Sequence, residues 1–253
     1  MTKTLFIGSS LTTAFYDWFK ETQDREADFA MGHGALWLPD RLPSSTAFHH
    51  SGSLFTFQQR IEVLSEAGEV LKQTFFSTVE DADEKGALHI DLANYPRMVF
   101  TVPMLFWDVS FGHLHRNGYG LLTPATQKLF EEAELPHTLS EETFKAIHRA
   151  RFGHAYAFLE AARSACPDME IFIAPAVLPP AERKNFPLLW RQLHQHEMRL
   201  IFASLKDLYG AIAMGQPNET LTQDLITLPE FMADEHHHYN ARFVQKLSET
   251  YAF

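Results

Sequence analysis

The stretch TLFIGSSLTTAF, residues 4–15, decides how the rest of the chain is read. TLFIG is a short apolar run closed by Gly8, the pattern of a buried strand. From Ser10 to about Thr22, Leu11, Phe15, Trp18 and Phe19 recur at helical spacing, so a strand is expected to lead straight into a helix. Ser9 and Ser10 lie at the mouth of that helix. Serine is a common helix cap because its hydroxyl accepts from the unpaired N–H groups of the first turn. The question is whether both serines only cap, or whether one does chemistry.

Outward from this unit the pattern repeats. ADFAMGHGALW, residues 27–37, reads as a second strand ending near Gly32-His33-Gly34, and RMVFTVPML, 97–105, as a third. MEIFIA supplies a fourth, from about Glu170 to Ala174. Between them, a long helix is expected from Ser53 to about Ser77, on Leu54, Phe57, Ile61 and Leu64, and others at about 124–134, 139–165 and 187–209. DEHHHYNARFVQKL opens a last helix. Strands alternating with helices imply an α/β fold, a mainly parallel sheet with helices on both faces. In such folds ligands sit beyond the carboxyl ends of the strands, where the Gly8-Ser9-Ser10 turn, the GHG turn and the loops at 106–120 and 175–182 would all fall.

The chain has 253 residues, 45% of them hydrophobic and 21% charged, and one domain spanning 1–253 is expected. A formal net charge of −11 with no basic run argues against a nucleic-acid partner, since such binding draws on Lys and Arg at phosphates. The N-terminal apolar run is too short for a signal-peptide core, and no stretch approaches the roughly 20 apolar residues of a membrane span, so a cytoplasmic protein with no membrane partner is expected. Cys166 is the only cysteine, which rules out an internal disulfide. It stands at a helix end far from either serine and is not expected to be a nucleophile.

Hydrolysis at serine needs a hydroxyl, a histidine to take its proton, a carboxylate to orient that histidine, and N–H donors for the oxyanion. Gly8-Ser9-Ser10-Leu11 near one end, with Asp234-Glu235 and His238-Tyr239-Asn240 near the other, together resemble the SGNH (GDSL-type) hydrolase superfamily. The family's Gly-Asp-Ser-Leu appears as Gly-Ser-Ser-Leu, and its closing Asp-x-x-His-x-Asn as Glu235-His236-His237-His238-Tyr239-Asn240. The resemblance spans nearly the whole chain and implies a three-layer α/β/α sandwich of flavodoxin-like type. It also implies Ser10 as nucleophile, His238 as general base, Glu235 as its orienting acid, and Gly34 as the second-block glycine beside the oxyanion. Ser9 is then the cap, or stands in for the family's aspartate. Asp234 with His237 has the same spacing as Glu235 with His238; the His-Tyr-Asn continuation favours the latter pair.

The third block departs from the family. Its Gly-x-Asn is replaced by Pro103-Met104-Leu105, leaving Asn117 in the following loop as the candidate substitute donor. The implied activity is that of an esterase or acyl-transferring enzyme on a small ester or acylated sugar. The rival reading is a non-catalytic or carbohydrate-binding relative that keeps the fold and has lost the oxyanion donor.

Fourteen histidines are an unusual share. His33, between two glycines, is a candidate substrate contact. His113, His115, His194 and His196 read as surface or satisfied core residues. The triplet at 236–238 with Glu235 or Asp234 has the chemistry of a zinc or iron site. Adjacent histidines point different ways, however, and no HExxH-type spacing accompanies them, so no metal or other cofactor is expected.

Overall fold

The computed structural model describes residues 3–22, 26–31, 44–61, 63–64, 70–71, 76–79, 87–102, 110, 113–175, 177–178, 186–233 and 238–253. The chain divides into two compact units. One comprises Met1–Val102, Phe152–Ala174 and Phe253, the other Pro103–Arg151 and Pro175–Ala252.

In the first unit TLFIG forms β1 (Thr4–Gly8), buried at every position, and runs into helix α1 (Thr12–Thr22). Strand β2 (Ala27–Met31) follows, then a hairpin of β3 (Ser44–Ser51) and β4 (Leu54–Ile61). Short strands β5 (Val63–Leu64), β6 (Val70–Leu71) and β7 (Phe76–Ser77) precede β8 (Ala87–Asp91) and β9 (Arg97–Thr101). β1 pairs in parallel with β2 on one side and β9 on the other. β12 (Glu170–Ile173), reached after the excursion through the second unit, adds in parallel to β9, and β7 closes the far edge antiparallel to β2. The fold is therefore α/β with a mainly parallel central sheet.

Both faces of this sheet are covered. Phe6, Phe29 and Phe172 project to one side, where Phe6 meets Phe15 of α1 at 5.4 Å between centroids. Phe253 packs into the same layer against Phe15 (5.6 Å), Trp18 (5.8 Å) and Phe172 (6.1 Å). Phe100 projects to the other side and stacks at 4.9 Å on Phe158 of helix α4 (Gly153–Ala165). Three layers result, helix, sheet and helix, as alternation of side chains along each strand requires.

The helix expected from Ser53 to Ser77 is corrected. Residues 54–61 form β4, the middle strand of an antiparallel sheet in the order β3-β4-β8. Phe55 and Phe57 are 0% and 1% exposed while Leu54 is 47% exposed, so the burial period is two, not 3.6. Phe55 and Phe57 lie 5.5 and 5.9 Å from Phe158, and that ring clamps the small sheet to the large one. Gly52, at φ +60°, turns the hairpin.

In the second unit β10 (Tyr119–Leu121) pairs in parallel with β11 (His137–Leu139). Helix α2 (Gln127–Glu132) buries Phe130, which with Leu135 and Leu193 forms a local core. The single helix expected at 139–165 is two, α3 (Glu141–Arg151) and α4, broken at Phe152 and Gly153, where the chain passes from the second unit to the first. Helix α5 (Leu188–Tyr209) ends where Gly210 turns left-handed at φ +60°, and α6 (Ala241–Tyr251) starts at an Asn240 cap. Among the described residues no helix is long and apolar enough to cross a membrane.

Candidate functional site

Counting only the parallel strands that the first unit contributes, the central sheet runs second, first, third, fourth along the chain: β2, β1, β9, β12. The order reverses between β1 and β9, and ligands of open α/β sheets bind beyond the carboxyl ends at such a reversal. Gly8-Ser9-Ser10 follows β1 there, directly beside Thr101, the last residue of β9 and the register partner of Gly8.

The turn is held tightly. A Cβ on Gly8 would lie 2.5 Å from Thr101 Oγ1, and its φ of +155° disfavours other residues, so glycine lets the two strand ends close up. Ser9 is 6% exposed, and both its N–H (3.0 Å) and its hydroxyl (2.8 Å) donate to the Thr101 carbonyl. Its oxygen also accepts from the N–H of Leu11 at 3.4 Å. Thr101 Oγ1 donates to the Ile7 carbonyl at 3.3 Å, which makes Thr12 Oγ1 the donor in the 2.5 Å contact between the two threonines. Ser9 is thus part of a buried hydroxyl clamp joining β1, β9 and α1. Ser10, the next residue, is half-buried at the mouth.

The other predicted residues are distributed as follows. His238 and Asn117 belong to the second unit, and His33, Gly34, Asp234 and Glu235 lie outside the described residues, as do Pro103, Met104 and Leu105. His238 is half-buried, and its carbonyl accepts from the N–H of Ala233 at 2.8 Å, tying together the two residues that flank 234–237. Asn240 anchors this turn from both ends of its amide. Oδ1 accepts from the N–H groups of Arg242 (3.1 Å) and Phe243 (3.3 Å), and Nδ2 donates to the carbonyls of Glu230 (2.9 Å) and Met232 (3.1 Å). The asparagine of the His-Tyr-Asn run therefore serves as a structural cap. Asn117 is exposed, with Nδ2 donating to the His113 carbonyl at 2.5 Å.

Sequence reasoning missed a buried polar cluster in the second unit. His115 and Glu197, both with fully buried side chains, meet at 3.0 Å between Nε2 and Oε1. His194 Nδ1 lies 3.0 Å from Ser110 Oγ, and His148 is 0% exposed nearby. Burial drives the His194 pKa down to about 4, with the charges of His115 and His148 adding to it against the pull of Glu197, so the ring is neutral at pH 7. Burial works to raise the Glu197 pKa, but hydrogen bonding and charge from His115, with a hydrogen bond from Ser110, outweigh it and hold the carboxyl below its usual range. Among the described residues no group of three or more histidine, cysteine or acidic side chains is disposed to hold a metal. The available signal was polar residues on the core stripe of α5, where His194 and Glu197 alternate with Leu193, Met198, Ile201 and Leu205.

At the amino edge of the central sheet, a hollow of about 410 Å³ is lined by Lys3, Asp28, His89, Asp91 and Tyr95 among others. Both of its carboxylates are already engaged, Asp28 by Lys3 at 2.7 Å and the Tyr95 hydroxyl at 2.5 Å, and Asp91 by the Ala93 N–H at 3.1 Å. No protein-family model, curated protein or solved structure matches this chain.

Proposed function

We propose that the protein is a serine esterase or acyl-transferring enzyme of SGNH type, acting on a small ester or acylated sugar. The observation that carries this reading is the division of labour in the Gly8-Ser9-Ser10 turn at the β1/β9 reversal. Ser9 is consumed by the Thr101 carbonyl, and Ser10 follows it, half-buried, at the edge where open α/β sheets bind their ligands. In this reading the Ser10 hydroxyl attacks the ester carbonyl while His238 takes its proton, and Glu235, or Asp234 with His237, orients the imidazole. The alcohol leaves with the proton returned by the histidine, and water or a sugar hydroxyl then releases the acyl group. Backbone N–H groups of Ser10 and Gly34, helped by His33 or Asn117, are the proposed oxyanion donors. No cofactor takes part. A cytoplasmic location belongs to the same proposal and is supported by the single cysteine, Cys166.

Fluorophosphonate labelling with mass-spectrometric mapping tests the reading directly. The label is expected on Ser10, and Ser10→Ala is expected to lower turnover of a short-chain aryl ester by several orders of magnitude, with Ser9→Ala acting through stability instead. Equal turnover in wild type and Ser10→Ala would leave the non-catalytic or carbohydrate-binding relative as the better description.

A further inference from the structure

The second unit contains a cavity of about 190 Å³ that the serine mechanism does not use. One wall is a face of α5. His194, Met198 and Phe202 stand four residues apart and so share a side of the helix, with Gln195 and Arg199 along its flank. Leu178, Pro175 and Leu221 complete an apolar lining, and Gly215, Gln216 and Asn218 form the facing wall.

That facing wall is prebuilt. Gln216 accepts from the Leu178 N–H at 2.7 Å and donates to Thr220 Oγ1 (3.1 Å) and Thr227 Oγ1 (3.0 Å), while Thr227 donates to the Leu178 carbonyl at 2.6 Å. Gly215 is fixed by its N–H bond to the Tyr251 hydroxyl at 2.7 Å. With its amide committed, Gln216 shapes the cavity and is not a ligand donor. This wall is therefore held in place before any ligand arrives, which lowers the ordering cost of binding against it.

The chain carries a net charge of −11, yet among the described residues that line this cavity there is no carboxylate, and the one charged side chain is that of the exposed Arg199. Among the described residues Arg199 makes no ion pair or hydrogen bond that would commit its planar fork of donors. His194, neutral in the wall, supplies no second charge. A half-open cavity with an apolar side of Leu178, Met198 and Phe202 and a single guanidinium among its described lining residues matches a small molecule with an apolar body and one carboxylate, because arginine binds carboxylates through two parallel N–H bonds. In size the cavity exceeds the engineered one of about 150 Å³ that takes up benzene.

We propose that this cavity is a binding site for a one-ring organic carboxylate, seated between Met198, Phe202 and Leu178 with its carboxylate on Arg199. This inference is independent of the serine reading, and its test involves no catalysis. The full chain, labelled at its methionine methyl groups, is titrated with sodium benzoate and, separately, with benzyl alcohol, and the Met198 resonance is assigned through Met198→Leu. Saturable movement of the Met198 methyl at millimolar benzoate is expected, with benzyl alcohol at least about tenfold weaker, the scale of one charge-assisted contact. Arg199→Gln should weaken benzoate by a similar factor and leave benzyl alcohol unchanged. Arg199→Lys, which keeps the charge and loses the fork, should fall between. Arg199 is exposed, so these variants are expected to fold. Absence of saturable benzoate binding, an unmoved Met198 methyl, or equal affinity in wild type and Arg199→Gln would each overturn the proposal.

Discussion

His194 folds without its proton, and that has a measurable consequence. Its pKa is about 4 in the folded chain against roughly 6.5 in an unfolded one. Between those two values the unfolded chain binds more protons, so stability falls as pH drops through this window, by about 3 kcal/mol at most, and this residue adds nothing further below pH 4. Glu197, held below its usual range, acts in the same direction: its contribution is present above the unfolded carboxylate pKa and is lost as acid protonates it. The groups facing His194 are Ser110, His115, His148 and Glu197. Urea unfolding at pH 7 and pH 5 should show the loss, and His194→Asn, which places an amide nitrogen near the position of Nδ1, should flatten the dependence. An unchanged slope in that variant would move the effect to the other histidines.

At the scale of elements, β4 shows how a local pattern can satisfy two structures. Leu54, Phe57, Ile61 and Leu64 fit a helix face, while Phe55 and Phe57 fit a strand face. Pairing decides between them. Phe57 sits opposite Phe48 on one side and Leu88 on the other, and Phe55 opposite His50 and Ile90, so the backbone bonds of β4 are made by two partner strands. The consequence is testable because a helix would bury Leu54 with Phe57, and the sheet does not. Phe57→Ala should cost about 3–5 kcal/mol in denaturant unfolding. Leu54→Ala, at a position 47% exposed, should stay within about 0.5 kcal/mol. A large loss in the second variant would restore the helix. The backbone at Gly8, by contrast, had one reading throughout, a strand leading straight into a helix, and the structure has it so.

At the scale of the whole molecule, the first unit is assembled from three stretches of sequence, the last of them Phe253 alone. That ring is 1% exposed and packs against Phe6, Phe15, Trp18 and Phe172, closing the helix layer over the sheet. Phe253→Ala is therefore expected to destabilise this unit by about 3–5 kcal/mol, read by hydrogen exchange in β1 and α1. Intact protection there would show that the ring contributes little.

The sequence by itself determined the parallel strands β1, β2, β9 and β12, the helices α1 and α5, and the position of Ser10 at a strand end. Near-continuous apolar runs and 3.6-residue periods are local, and each is complete within a window of a dozen residues. Only the tertiary structure decided that 54–61 is a strand, that the helix at 139–165 breaks at Phe152, and that Ser9 is a clamp on Thr101, 92 residues away. It also decided that His115, Glu197, His194 and Ser110 form one buried cluster, with His194 and Ser110 separated by 84 residues. The physical reason is common to all of these. A backbone or side-chain polar group is stable in the interior only beside its partner, and the partner's distance along the chain leaves no mark in the local pattern.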